Sequence, residues 1–281
     1  MTFITIVVVV VVVAAGLAYN RRVWRPRQAT AAVPRDGLKV WELVAPVASL
    51  AVVLLVFVLV QTYSSWAAAG RAETDEATAT LLLFREADLV GDAPVRDTIR
   101  RQMVCYATSV VHQDWPAMGR RRVSSVPTYW ATLVRGAGIR LVRAQGRSTA
   151  GENLVARDGQ RATARQNRLL EARPTVPGAL SWLMLATVVV VLAVIGTATM
   201  TTVDRRVHLV IVVAAATVFA ATLILIRDLD QPYAGAVHRE PTQTEFVLRQ
   251  IAAEVHGPLP CDRNGLPTGV DGFRATTSAL G

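Results

Sequence analysis

The chain has 281 residues, is 52% hydrophobic and 18% charged, and carries a formal net charge of +9. Lys39 is the one lysine among 30 basic residues, a bias expected of high-GC coding, so the charge alone is poor evidence for nucleic-acid binding. No nucleic-acid module or aromatic-interleaved basic patch accompanies it, and two distant cysteines, Cys105 and Cys261, offer neither a zinc site nor a redox motif.

The apolar residues are gathered into four blocks. A helix crossing the hydrocarbon core needs about 20 apolar residues, with roughly 17 as a lower limit. The first block is residues 3–19, unbroken in its apolar run from Val7 to Val13. No basic region precedes it and arginines follow it, so it reads as an uncleaved span. The second is residues 43–60, preceded by Trp41, the third is residues 180–200, opening near Trp182, and the fourth is residues 207–226. None contains a charged residue. In lipid the backbone must satisfy its own hydrogen bonds, so even valine-rich runs are expected to be helical. Between the first two blocks lie Arg21, Arg22, Arg25, Arg27, Arg35 and Lys39, against Asp36 and Glu42; between the last two lie Asp204, Arg205 and Arg206. Short arginine-rich loops stay cytoplasmic, which places the N-terminus, the central domain and the tail outside.

The organisation that follows is all-α. Two transmembrane pairs, residues 1–62 and 180–227, flank a helical extramembrane domain at 63–179, with a short helix and a tail at 228–281. Within the domain, residues 73–89 read as a helix, with Leu82, Leu83 and Phe84 for packing. Asp92-Ala93-Pro94 has the form of a cap and first turn. Val95, Ile99, Met103, Tyr106 and Val110 then recur as an apolar stripe, and Asp114-Trp115-Pro116 is read as the end of that helix. Residues 153–173 carry Arg157, Arg161, Arg165 and Arg168 at helical spacing, forming one basic face. A solvated face is the default for such a run; contact with lipid headgroups and a vestibule for anions are the alternatives.

Past the fourth block, residues 228–235 are turn-rich, with Asp228 and Asp230 fixing the turn into the tail. Thr242-Gln243-Thr244-Glu245 has the pattern of a capping box opening a helix to about His256. From Gly257 onward the tail, rich in Gly, Pro and Thr, is expected to be disordered. The four histidines lack ligand spacing, and no nucleophile elbow, Walker loop, zinc-protease helix or dinucleotide fingerprint is present. No enzyme, cofactor or metal is therefore expected. With no intramembrane carboxylate, coupled transport is disfavoured. A passive pore survives, lined by apolar constrictions or hydroxyls such as Thr187, Thr197, Thr199, Thr217 and Thr222. The plainer reading of those threonines is a bond to their own helix backbone. The two cysteines share one face of the membrane, and two readings stay open: a disulfide tying tail to domain if that face is external, or two unpaired buried thiols.

Four segments, in order, resemble the bacterial bestrophin-like family of membrane proteins. They are Trp66 followed by Glu76-Ala77; Ile99-Arg100 through Tyr106 to Asp114-Trp115-Pro116-Ala117-Met118; Arg168-Leu169-Leu170 with Pro177 and Trp182; and Leu229-Asp230-Gln231-Pro232-Tyr233-Ala234-Gly235. Asp114 stands where the family usually has glutamate and Tyr233 where it has phenylalanine. The asparagine usual before the second span and the Phe-Gly usual near the end of the third are not found. The resemblance implies two helix pairs flanking a helical domain, with Tyr106, Asp114, Trp115, Pro116, Asp230, Pro232, Tyr233 and Gly235 as signature positions of structural role. It also implies a distant likeness to bestrophins, pentameric anion channels whose large domain is cytoplasmic.

Two functions stay open. One is a passive channel, a homo-oligomer in which the face from Arg157 to Arg168 concentrates anions. The other is a non-conducting protein of the bacterial envelope whose external domain senses, scaffolds or binds a partner. The lipid bilayer is the partner common to both, and no ligand is specified.

Overall fold

A computed structural model describes residues 40–144, 149–198 and 205–268. The described residues form helices α1 (Val40–Ala87), α2 (Ala93–Ser109), a π turn (Val110–Asp114), α3 (Trp115–Gly119), α4 (Val126–Ala144), α5 (Thr149–Glu171), α6 (Gly178–Ala198), α7 (Arg205–Leu229) and α8 (Thr242–Ala253). The chain divides into two compact units, one comprising the described parts of Met1–Ser64 and Thr175–Asp230, the other those of Ser65–Pro174 and Gln231–Gly281.

Three described helices are long and apolar enough to cross a membrane: Ala45–Ala87, Gly178–Ile195 and Leu209–Leu229. The expected span at residues 3–19 lies outside the described residues, as do the side chains of Asp204, Arg205 and Arg206. The first unit has a core of Leu55, Val58, Met184, Val188, Leu192, Ala216, Leu223 and Ile226. Leu50, Phe57, Trp182 and Val210 stay exposed, each by more than half of its surface, as lipid-facing side chains are. The hydroxyls of Thr187, Thr217 and Thr222 donate to Leu183, Val213 and Val218 carbonyls at 2.8–2.9 Å, so each is spent on its own helix. Asp230 closes this unit's last turn by accepting from the Thr175 and Val176 amides at 2.8 and 2.9 Å, just ahead of α6.

The structure departs from the sequence reading in four places. Residues 43–60 and 73–89, read as two elements, are one 48-residue helix, because nothing between them breaks it and Pro46 falls near its start. The helix read as ending at Asp114-Trp115-Pro116 instead continues to Gly119 through the π turn. Pro116 has no N–H, and its ring crowds the carbonyl a full α-turn back; one inserted residue relieves both, with Trp115 N–H bonding Val110 O. The capping box at Thr242 does not form: α8 begins without a side-chain cap of its own, and Glu73 accepts the Gln243 amide at 3.0 Å instead. Asp92, by contrast, caps α2 through the Val95 amide at 3.2 Å.

The fourth departure concerns the tail. Residues 257–268, expected to be disordered, are folded; residues 269–281 lie outside the described residues. Asp262 accepts from the Asn264 and Leu266 amides, making a turn that sets Gly265 against the second unit. Gly265 has φ +77°, and a β-carbon there would stand 2.5 Å from Ser109 N, so only glycine fits. Its carbonyl accepts from Trp130 Nε1 at 2.7 Å. Cys261 is disulfide-bonded to Cys105, closing a sequence separation of 156 residues. Such a closure contributes about 2–5 kcal/mol, mainly by restricting the unfolded chain. That bond and the docked turn are contacts no local composition can announce. The second unit's core gathers Phe84, Ile99, Met103, Tyr106, Trp130, Val134, Leu154 and Ile251 around them.

Candidate functional site: a buried charge network

At the centre of the second unit the basic face of α5 turns inward. Arg161, Arg165 and Arg168 are 2%, 7% and 0% exposed, so the expected solvated face is corrected for three of its four arginines. The reason is electrostatic: Glu76 and Asp114 are buried opposite them and Asp158 is buried on α5 itself, and a buried charge must be paired. Arg168 donates Nε to Glu76 Oε2 and a terminal nitrogen to Asp114 Oδ2 at 2.7 Å. Glu76 takes the Tyr106 hydroxyl on its other oxygen at 2.6 Å. Arg165 reaches Asp114 at 3.3 Å, Thr128 Oγ1 at 2.8 Å and the Ser124 carbonyl at 3.2 Å. Arg161 bonds Asp158 at 2.6 Å and lies over the Tyr106 ring at 4.5 Å, while Arg135 closes the other oxygen of Asp158 at 2.6 Å. Arg157 is the exception: it stays 40% exposed and sits 3.8 Å from Glu86.

The π turn is what delivers Asp114. One residue inserted into an α-helix advances everything after it by about 100° of phase. Asp114 therefore faces the interior at 0% exposure, where its Oδ1 also accepts the Ser124 amide at 3.2 Å. Trp115 follows it in. The indole donates to the Arg239 carbonyl at 2.9 Å and packs edge-on to Tyr233 with ring centroids 5.1 Å apart, and Arg168 lies 5.1 Å from the indole centroid. Gly235 takes φ +102° just beyond. Tyr106, Asp114, Trp115 and Tyr233 are thus brought together; Asp230 belongs to the first unit, where it has the amide-binding role given above.

Burial works against the charge of Arg168, yet the carboxylates of Glu76 and Asp114 outweigh it and hold the guanidinium above its ordinary pKa. For Arg161 burial is likewise overcome, by Tyr106 and Asp158. Burial, and then the Glu76 charge, push Tyr106 up, so it remains a neutral donor. Three buried arginines face three buried carboxylates, and the cluster is closed to water. It cross-links α1, α2, the π turn and α5 and offers no free nucleophile or base. Glu76 and Asp158 were not among the residues singled out by sequence as a site; the signal of Asp158 is a lone carboxylate three residues before Arg161 on the arginine face of α5, and that of Glu76 a carboxylate among the buried alanines and leucines of α1. Among the described residues no group of three or more His, Cys, Asp or Glu could hold a metal ion.

Among the concavities on this unit's surface are two with arginines in their walls. One, of about 400 Å³, is lined by Trp66, Glu73, His238 and Arg239, with the Arg239 guanidinium 3.7 Å from the Trp66 ring centroid. The other, of about 380 Å³, has Arg121, Arg122 and Arg173 in its walls.

Comparison with known proteins gives a family and a fold. The model of the bestrophin-like domain matches residues 7–243. The structure is similar to a bacterial bestrophin homologue from Klebsiella pneumoniae, with a TM-score of 0.70 and 14% identity over 92% of this chain and 100% of that one. A substituted form of the same homologue gives a TM-score of 0.68 at 14% identity, covering 91% of this chain and 99% of the other. Among curated proteins none matches.

Proposed function

We propose that this chain, which belongs to the bestrophin-like family, is a non-enzymatic membrane protein whose helical module stands outside the cytoplasm as a scaffold or sensor. The observation that carries this reading is the Cys105–Cys261 disulfide. Disulfides persist in oxidising compartments and are rare in a reducing cytosol. The arginine-rich connection before residue 43 supports the same sidedness, with a fourth span at residues 3–19 completing two pairs. A module closed by a disulfide and an internal charge network is rigid, as suits a surface that holds a partner.

A second reading, a passive homo-oligomeric channel, is favoured by the likeness to the Klebsiella homologue along all of that chain. It requires a stable ring, because one chain of this size cannot enclose a pore by itself. With three of the four α5 arginines buried in internal pairs, Arg157, 40% exposed and 3.8 Å from Glu86, is the one of the four that an anion at the surface could meet.

Labelling of intact cells with a membrane-impermeant maleimide tests the sidedness, with an impermeant reductant added or omitted and lysed cells as the control. Cys261 should label from outside, and only after reduction. Labelling confined to lysed cells would place the domain in the cytoplasm and put the channel reading first. Halide flux through liposomes carrying a purified ring, lowered by Arg157→Glu, would also decide for the channel.

A further inference from the structure

We infer that the concavity walled by Arg121, Arg122 and Arg173 binds the phosphate headgroup of an anionic membrane lipid. The first observation is in the backbone. Where α3 ends, Arg121 N–H donates to Met118 O and Arg122 N–H to Ala117 O, both at 2.8 Å, the paired bonds of a Schellman closure. That closure requires a left-handed residue, and Arg121 supplies it with φ +60°, the one non-glycine with positive φ among the described residues. Glycine is the usual occupant, since a β-carbon there crowds the backbone. A side chain kept where its removal would relieve strain points to a use for that side chain.

The second observation is what surrounds it. Arg121, Arg122 and Arg173 are exposed and share the concavity of about 380 Å³, with Arg120 exposed beside them. No ion pair among the described residues reaches any of the four, whereas the arginines of α5 each have a carboxylate. Guanidinium groups freed of carboxylates bind phosphate oxygens in a planar, bidentate manner. The same walls expose apolar surface: Val123 is 61% and Leu170 47% exposed. A free inorganic anion has no use for an apolar wall, but the glycerol and upper acyl chain of a phospholipid do. Pro174 completes the wall four positions before α6 begins, so the covalent chain holds it within about 14 Å of the start of a membrane-crossing helix. The assignment holds whichever side of the membrane the module occupies, so it stands apart from the reading proposed above.

The test uses the full chain in detergent, with native mass spectrometry reading its affinity for added phosphatidylglycerol and phosphatidylcholine. The wild type should prefer phosphatidylglycerol, and Arg122→Gln combined with Arg173→Gln should lower that affinity about tenfold while leaving phosphatidylcholine unchanged. Arg121→Gly should move two readouts in opposite directions: Tm rises by about 2–4 °C as the strain is released, and phosphatidylglycerol binding weakens about fivefold. Equal binding of the two lipids by the wild type would overturn the inference. So would an Arg121→Gly protein that binds phosphatidylglycerol undiminished or that melts lower. Displacement of phosphatidylglycerol by millimolar inorganic phosphate, with no headgroup preference, would replace the lipid by a free anion.

Discussion

Arg168 donates to two carboxylates and has no route to water, so removing it strands Glu76 and Asp114 in the core. Arg168→Met should cost about 3–5 kcal/mol, because an unpaired buried carboxylate retains its desolvation penalty after losing its partner. Arg157→Gln, on the same helix but half exposed, should change stability by no more than about 0.5 kcal/mol. Denaturant unfolding of the two variants checks both; similar losses would mean that the buried cluster relaxes to water. Tyr233 makes a different point. Its ring packs on Trp115, but its hydroxyl is buried and has no hydrogen-bond partner among the described residues. Burial pushes its pKa up, so it stays a neutral, unsatisfied group. Tyr233→Phe, the residue usual in the resembling sequences, should be neutral or gain about 1 kcal/mol. A loss above that in a thermal melt would reveal a partner for the hydroxyl. The helical spacing of the arginines was legible in the sequence. Their pairing was not, since Glu76 and Asp114 stand 92 and 54 residues from Arg168 along the chain.

Helices here are fastened as much by their neighbours as by their own caps. α8 takes its N-terminal cap from Glu73 on α1, and its end is held by Glu254, which receives two bonds of 2.7 Å from Arg85. Glu73 is held above its ordinary pKa of 4.5 by burial, against the opposing pull of the Gln243 and Thr244 amides and of Arg239. A carboxyl with a raised folded pKa binds its proton more tightly in the folded state. Stability therefore falls as pH rises from the ordinary value through the raised one. Glu73→Gln keeps the acceptor oxygen and removes the charge, so its Tm should exceed that of wild type at neutral pH and match it near pH 4. Melts across that range decide, and a variant less stable at neutral pH would show that the charged cap outweighs its burial. The π turn belongs to this scale too. Pro116 announces an interruption, but the sequence alone does not distinguish an ending from an inserted residue. The choice falls to Asp114, which the insertion brings to Arg165 and Arg168.

For the whole molecule, the disulfide is the one covalent cross-link among the described residues. Cys261→Ser should lower the stability of the second unit by about 2–5 kcal/mol and release the 257–268 segment to proteolysis. Reductant should reproduce the loss in wild type and leave the variant unchanged; a wild-type melt indifferent to reductant would remove the bond from the account. Legible in the sequence alone were the membrane character of the chain, the helices that hold the second, third and fourth apolar blocks, and the charged helical region between the second block and the third. Those features follow from local composition: runs of about 20 apolar residues have no stable home in water, and helical periodicity repeats within a few residues. Only the folded chain settles which face of α5 is inside, that the tail folds back as far as Thr268, and that Cys105 meets Cys261. Each of these depends on a partner dozens of residues away. Pairing a charge, a thiol or a glycine carbonyl depends on where the folded chain returns, which composition and periodicity do not encode.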